Sequence, residues 1–174
     1  MDGPPFLFYR PPQKEAKRRS TKNQKQPIKT VSIVRVELAK DWGHPYANLE
    51  VENPKDLASV LKKFLKTTDR EVFLTVNLSG TNEINSINIV SIGCLTSTTV
   101  HPREVFKAAI LSNAFRIVIA HSHPSGTSFP SQEDIDMTRK LIQCGEILDI
   151  KVMDHIIIAG KEYLSFAEKG IGGL

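Results

Sequence analysis

Three side chains with metal-ligating chemistry fall close together in one stretch of the chain: His121, His123 and Asp134 in AHSHPSGTSFPSQED. In extended backbone alternate side chains share a face, so imidazoles at 121 and 123 project to the same side. Pro124 drives the residue before it toward β or polyproline geometry, which holds His123 extended. The chain then turns through Ser125-Gly126 and enters a helix with Asp134 in its first turn. Two histidines and one carboxylate leave a fourth tetrahedral position for water, the open arrangement of a catalytic zinc site. A plainer reading stands beside this one. Ser131-x-x-Asp134 ahead of an apolar run is also a helix-capping signature. The two are compatible, because a first-turn carboxylate lies next to the loop that His123 enters.

Other candidates carry less. His101 and His44 each precede a proline at a segment boundary and read as loop residues. His155 lies in a strand next to Asp154; packing near the site is one reading, and a buried, hydrogen-bonded histidine is the plainer one. Cys144 falls in a helix as core or surface, and with Cys94 it forms no disulfide framework. A reducing compartment, most simply the cytoplasm, is the expected location. The absence of P-C-x-x-C argues against the zinc deaminase chemistry built on that motif.

The elements that must position these residues follow from periodicity. Val34, Val36 and Leu38 alternate with polar residues as a half-buried strand does. Leu57, Val60, Leu61, Phe64 and Leu65 fall at helical spacing after Pro54, predicting a helix over 55–66. EVFLTVNL (71–78) and INSINIVSI (84–92) are β-branched runs joined by Ser-Gly-Thr-Asn, a hairpin connection. Pro102 opens a second helix, with Val105, Ala108, Ala109 and Leu111 toward its buried side. RIVIA (116–120) reads as a central strand. A third helix is expected over 132–144, stopping near Gly145. KVMDHIIIA (151–159) and EYLSF (162–166) form a final hairpin. The fold class is α/β, a mixed α+β sheet with flanking helices.

Of 174 residues, 40% are hydrophobic and 24% charged, enough for a core. No run approaches the roughly 18 apolar residues of a membrane span. The amino-terminal segment lacks a charged leader and a small-residue cleavage site, so it does not read as a signal peptide. The net charge of +4 is unevenly placed. Residues 1–30 carry eight Lys/Arg against two acids, whereas residues 31–174 carry fifteen against seventeen. The expected organisation is a disordered basic tail over 1–30 and one domain over 31–174. A solubilising tail is the plainer reading; an electrostatic arm for nucleic acid is the sharper one.

The string His121-Ser122-His123, seven residues, Ser131, two residues, Asp134 resembles the H-[ST]-H-x7-S-x2-D signature of the JAMM (JAB/MPN-type) zinc metalloproteases. HPREVFKAAI, AHSHPSG, SQEDIDMTRKL and DHIII look like the RadC-like branch of bacterial JAB-domain proteins. The resemblance covers roughly residues 31–170. Branch members more often carry HNHPSG, where this chain has Ser122 in the middle. The resemblance implies a single JAB/MPN, cytidine-deaminase-like domain and a metallopeptidase or isopeptidase acting on a peptide or protein. It implies that His121, His123 and Asp134 bind Zn²⁺ and acidify a bound water to a pKa of about 7. It also implies a glutamate base on an earlier strand, within an E-x-x-G-x-L pattern. Glu71 is the match, with Leu74 in place of the glycine, and Glu83 is its rival after the turn. Ser131 would hold the developing oxyanion or orient the water. A second reading is a DNA repair or recombination factor whose basic tail contacts nucleic acid, with the JAB domain as a metal-binding scaffold.

Overall fold

The computed structural model describes residues 50–65, 70–93 and 100–174, together with Leu38. The basic tail, the expected strand before Leu38, His44 and Cys94 lie outside the described residues. The boundary expected between residues 30 and 31 lies outside them too.

Helix α1 (Pro54–Leu65) starts where proline is best tolerated, with Asn53 Oδ1 accepting the Asp56 N–H at 3.1 Å. Strands β1 (Val72–Leu78) and β2 (Ile84–Ile92) pair antiparallel across the expected hairpin. Helix α2 (Pro102–Leu111) leads into β3 (Arg116–Ser122), which pairs antiparallel with β1. Helix α3 (Gln132–Leu148) crosses over to β4 (Lys151–Ala159), which lies parallel to β3. The β4 strand then folds back on β5 (Glu162–Ser165), and the short helix α4 (Phe166–Lys169) follows. Among the described residues these strands form one mixed sheet in the order β2-β1-β3-β4-β5.

The period of two along the strands sorts the core into two layers. Val72, Leu74, Val76 and Leu78, with Val118 and Ala120, bury against Leu57, Leu61 and Leu65 of α1. Phe73, Ile117 and Ile119 point the other way, against Val105, Phe106 and Ala109 of α2 and Leu141 of α3. Phe106, not among the expected core positions, is fully buried, whereas Ala108 and Leu111 are only partly covered.

The expected end of α3 near Gly145 is overturned. The helix runs one turn further and ends at Asp149, which adopts the left-handed conformation with φ of 55°. Gly145 serves close packing instead: a Cβ there would sit 2.5 Å from the Ile150 carbonyl oxygen. The β3 strand also outruns the expected RIVIA segment, extending through His121 and Ser122.

Candidate metal centre

The site lies at the carboxyl ends of the parallel pair β3 and β4, beside the amino end of the crossover helix. Alternation puts His121 on the face of Ile117 and Ile119, the face that α3 covers. His123 follows one residue past the strand, its N–H held by the Ile158 carbonyl at 2.8 Å. Gly126, at φ of 81°, donates to the His123 carbonyl and turns the chain toward α3.

Asp134 is brought in by the cap. The Ser131 hydroxyl accepts the Asp134 N–H at 3.1 Å, and the Ser131 N–H donates to Asp134 Oδ2 at 2.8 Å. The Ser131 O–H also donates to Oδ2, at 2.7 Å. With Oδ2 so occupied, Oδ1 is turned toward His121 Nε2, 3.3 Å away. The cap is thus formed, and the same geometry leaves Asp134 Oδ1 where it could join the two histidines in holding a metal.

His121 Nε2 and His123 Nε2 are 2.8 Å apart, and one donor atom from each of His121, His123 and Asp134 lies within 4.8 Å of the others. His123 Nδ1 faces the Thr127 carbonyl at 2.7 Å, an acceptor only, so Nδ1 carries the hydrogen and Nε2 presents its lone pair. Two neutral-nitrogen donors and one carboxylate oxygen converging on a point suit a divalent transition ion. The donor set fits a metal ion.

Burial governs the protonation of the buried histidines. Desolvation pushes the His121 imidazole down to about 4, with His123 adding to the shift and the Asp134 carboxylate opposing it. His155, wholly buried, is pushed well below the ordinary range, again mainly by desolvation. A free histidine titrates near 6.5. Between about pH 6.5 and 4 the unfolded chain therefore binds protons that the folded chain refuses. Metal-free protein is expected to lose stability as pH falls through that window. An NMR titration checks this directly: the His121 ring should still be neutral at pH 5.5, and a midpoint near 6.5 would contradict the assignment.

The remaining sequence candidates sort by position. Glu71 immediately precedes β1, half-buried, and continuing the register past Phe73↔His121 sets position 71 across from 123 on the His121 face. Glu83 lies at the other end of β1, past Leu78↔Ile84 and across from Ser79, roughly 20 Å from the Phe73 level at the ordinary strand rise. It is exposed, with its N–H donating to Ser79 Oγ and its carboxylate accepting from Thr81. His101 is exposed at the start of α2 and makes no side-chain cap bond. Cys144 is half-buried against the α2–α3 layer.

Sequence reasoning missed two contributors, Ser122 and Thr138, and the partners of a third, His155. Ser122 Oγ accepts the Val72 N–H at 3.0 Å and donates to the Arg70 carbonyl at 3.3 Å, bracketing Glu71 on both sides. His155 is the buried, hydrogen-bonded histidine expected, and its partner is the site itself: its Nε2 lies 2.8 Å from His121 Nδ1. It reaches that face because β4 carries an irregularity, Ile117 pairing with Val152 but Val118 with Asp154. The extra residue shifts the alternation so that His155 sits beside Ile119 instead of Ala120. Thr138 completes the group at 2.6 Å from His155 Nδ1. Its one legible signal was the spacing of four from Asp134, which shares its helix face.

Among the described residues no helix is long and apolar enough to cross a membrane. The family model described as RadC-like JAB domain matches residues 51–171. A UPF0758 protein of Desulfitobacterium hafniense is 44% identical over 127 residues, covering 73% of this chain and 56% of that protein. One from Moorella thermoacetica is 46% identical over 121 residues, 70% of this chain and 53% of its own length. One from Clostridioides difficile is 48% identical over 122 residues, 70% and 52% respectively. The chain thus spans about half the length of these curated relatives.

Proposed function

This chain belongs to the RadC-like JAB domain family, and on that premise we propose that it is a zinc-dependent peptidase or isopeptidase. One observation carries the reading: His121, His123 and Asp134 hold donor atoms within 4.8 Å of one another at a strand end; extending the β1–β3 register past Phe73↔His121 supports Glu71 as their neighbour. A Zn²⁺ ion held there supplies Lewis-acid polarisation and a more acidic water. The protein's own groups supply the proton management. Glu71 takes the proton of the attacking water as the oxygen–carbon bond forms. It returns that proton to the amide nitrogen as the carbon–nitrogen bond breaks. Ser131 sits at the exposed rim, and rotation about its Cβ–Oγ bond redirects its hydrogen from Asp134 to the developing oxyanion.

A peptide-library cleavage screen with the full chain tests the proposal. Cleavage that stops on chelation and returns with Zn²⁺ is the expected result. Stable zinc binding with no cleavage of any amide would reassign the domain as a metal-binding scaffold.

The excess of six positive charges over residues 1–30 supports one further contact, with nucleic acid. Deleting residues 1–27 should weaken DNA binding and flatten its salt dependence. Equal binding by the intact and shortened chains would leave the tail as a solubilising segment.

A further inference from the structure

Beneath the metal ligands lies a buried line of hydrogen bonds with a single consistent direction. It begins at Thr138, whose Oγ1 is 2.6 Å from the Asp134 carbonyl oxygen. Two oxygens that close need a proton between them, and a carbonyl has none to give, so the hydroxyl donates. A hydroxyl has one hydrogen. Its second contact, 2.6 Å to His155 Nδ1, must then be one that Thr138 accepts. The hydrogen of the neutral His155 ring therefore sits on Nδ1, and its Nε2 is a bare acceptor. His121 Nδ1, 2.8 Å from that acceptor, has to donate. Its own hydrogen is thereby set on Nδ1, and its Nε2 lone pair faces His123 Nε2 at 2.8 Å and Asp134 Oδ1 at 3.3 Å, a cluster of acceptors that only a shared cation or proton holds together.

We propose that Thr138 and His155 are positioning residues that set the tautomer of His121 and so keep its Nε2 available as a ligand. The inference rests on the metal-site reading above and adds to it a cause for the ligand's protonation state. Thr138, His155 and His121 are fully buried, so no water stands ready to replace a lost partner. The His155 ring is held in place by Phe166, with centroids 4.5 Å apart, and by Phe73 at 6.1 Å. Packing thus opposes a ring flip, and the hydroxyl chooses the tautomer.

The same logic gives a reversal. Without the Thr138 oxygen, the His155 Nδ1–H has no acceptor, and a buried unsatisfied donor is costly. Moving that hydrogen to Nε2 relieves the cost by donating to His121 Nδ1. His121 must then carry its hydrogen on Nε2, where it blocks the metal. Thr138→Val should drive this reversal with little change of volume, and Thr138→Ser should undo it. Outer partners of metal-bound histidines typically contribute 10–100-fold to affinity.

The test uses the full chain and two readouts. Long-range proton–nitrogen NMR on metal-free protein should show His121 as the Nδ1–H tautomer in wild type and Thr138→Ser. It should show the Nε2–H tautomer in Thr138→Val. Zinc titration should show Kd weakened 10–100-fold in Thr138→Val and restored in Thr138→Ser. His155→Gln, whose amide oxygen can still accept from His121, is a second variant should Thr138→Val fail to fold. It should keep His121 in the Nδ1–H form and hold zinc within a few-fold of wild type. Wild-type His121 found as Nε2–H, or an unchanged Kd in Thr138→Val, would overturn the proposal. Loss of His121's Nδ1–H form in His155→Gln would do the same. The tautomer is read without metal, so wild type that binds no zinc counts against the metal site and leaves this readout intact.

Discussion

Replacing Glu71 with glutamine should leave a folded protein that keeps its metal and loses nearly all hydrolysis. The residue stands outside the ligand set, so the ion does not depend on it. Its backbone is secured independently: the Glu71 carbonyl accepts the Gly93 N–H at 2.9 Å, and Ser122 holds the groups on either side. Glutamine keeps the shape and hydrogen-bonding reach of the side chain but cannot take a proton. Proton transfer by a positioned base contributes typically 10²–10⁴-fold to rate, and a kcat loss of that size is expected at unchanged zinc content. Glu83→Gln is the matched control. Its carboxylate lies at the far end of the β1–β2 hairpin, and its loss should leave the rate near wild type. If Glu71→Gln cleaves normally while Glu83→Gln is dead, the base has been misassigned.

Asp134→Asn separates holding the ion from holding the fold. In the native cap, Oδ2 accepts from the Ser131 N–H and O–H while Oδ1 faces His121. Asparagine retains one acceptor oxygen, so the cap should survive at a cost of about 1 kcal/mol or less. The metal loses its anionic ligand, and a neutral amide is a far poorer donor to zinc. Zinc affinity should fall by more than the roughly 10–100-fold typical of losing an outer partner. A thermal melt near that of metal-free wild type, beside a large loss of zinc affinity, is the expected pair of results. Unchanged affinity would remove Asp134 from the ligand set.

How much of this was legible in the sequence depends on the range of the interactions involved. The β2 strand over 84–92 and the start of α1 at Pro54 were readable because they are set by neighbours in the chain. The same holds for His121, His123, Ser131 and Asp134, which one strand, one turn and one helix start bring together. Long-range effects were not readable. Gly145 resembles a helix terminator locally, yet it is the Ile150 carbonyl, placed by the turn into β4, that requires the missing Cβ. His155 reaches His121 only because the β3–β4 register slips by a residue between Ile117 and Val118. No periodicity announces that slip. Thr138 is one of several polar residues on α3, and its partner lies on a strand seventeen residues away.

The metal content of gently purified full chain tests the central claim most directly. About one zinc per chain is predicted in the wild type, with none retained when His121 and His123 are both replaced by alanine. Wild-type protein that is metal-free and cannot be loaded with Zn²⁺ would contradict the account.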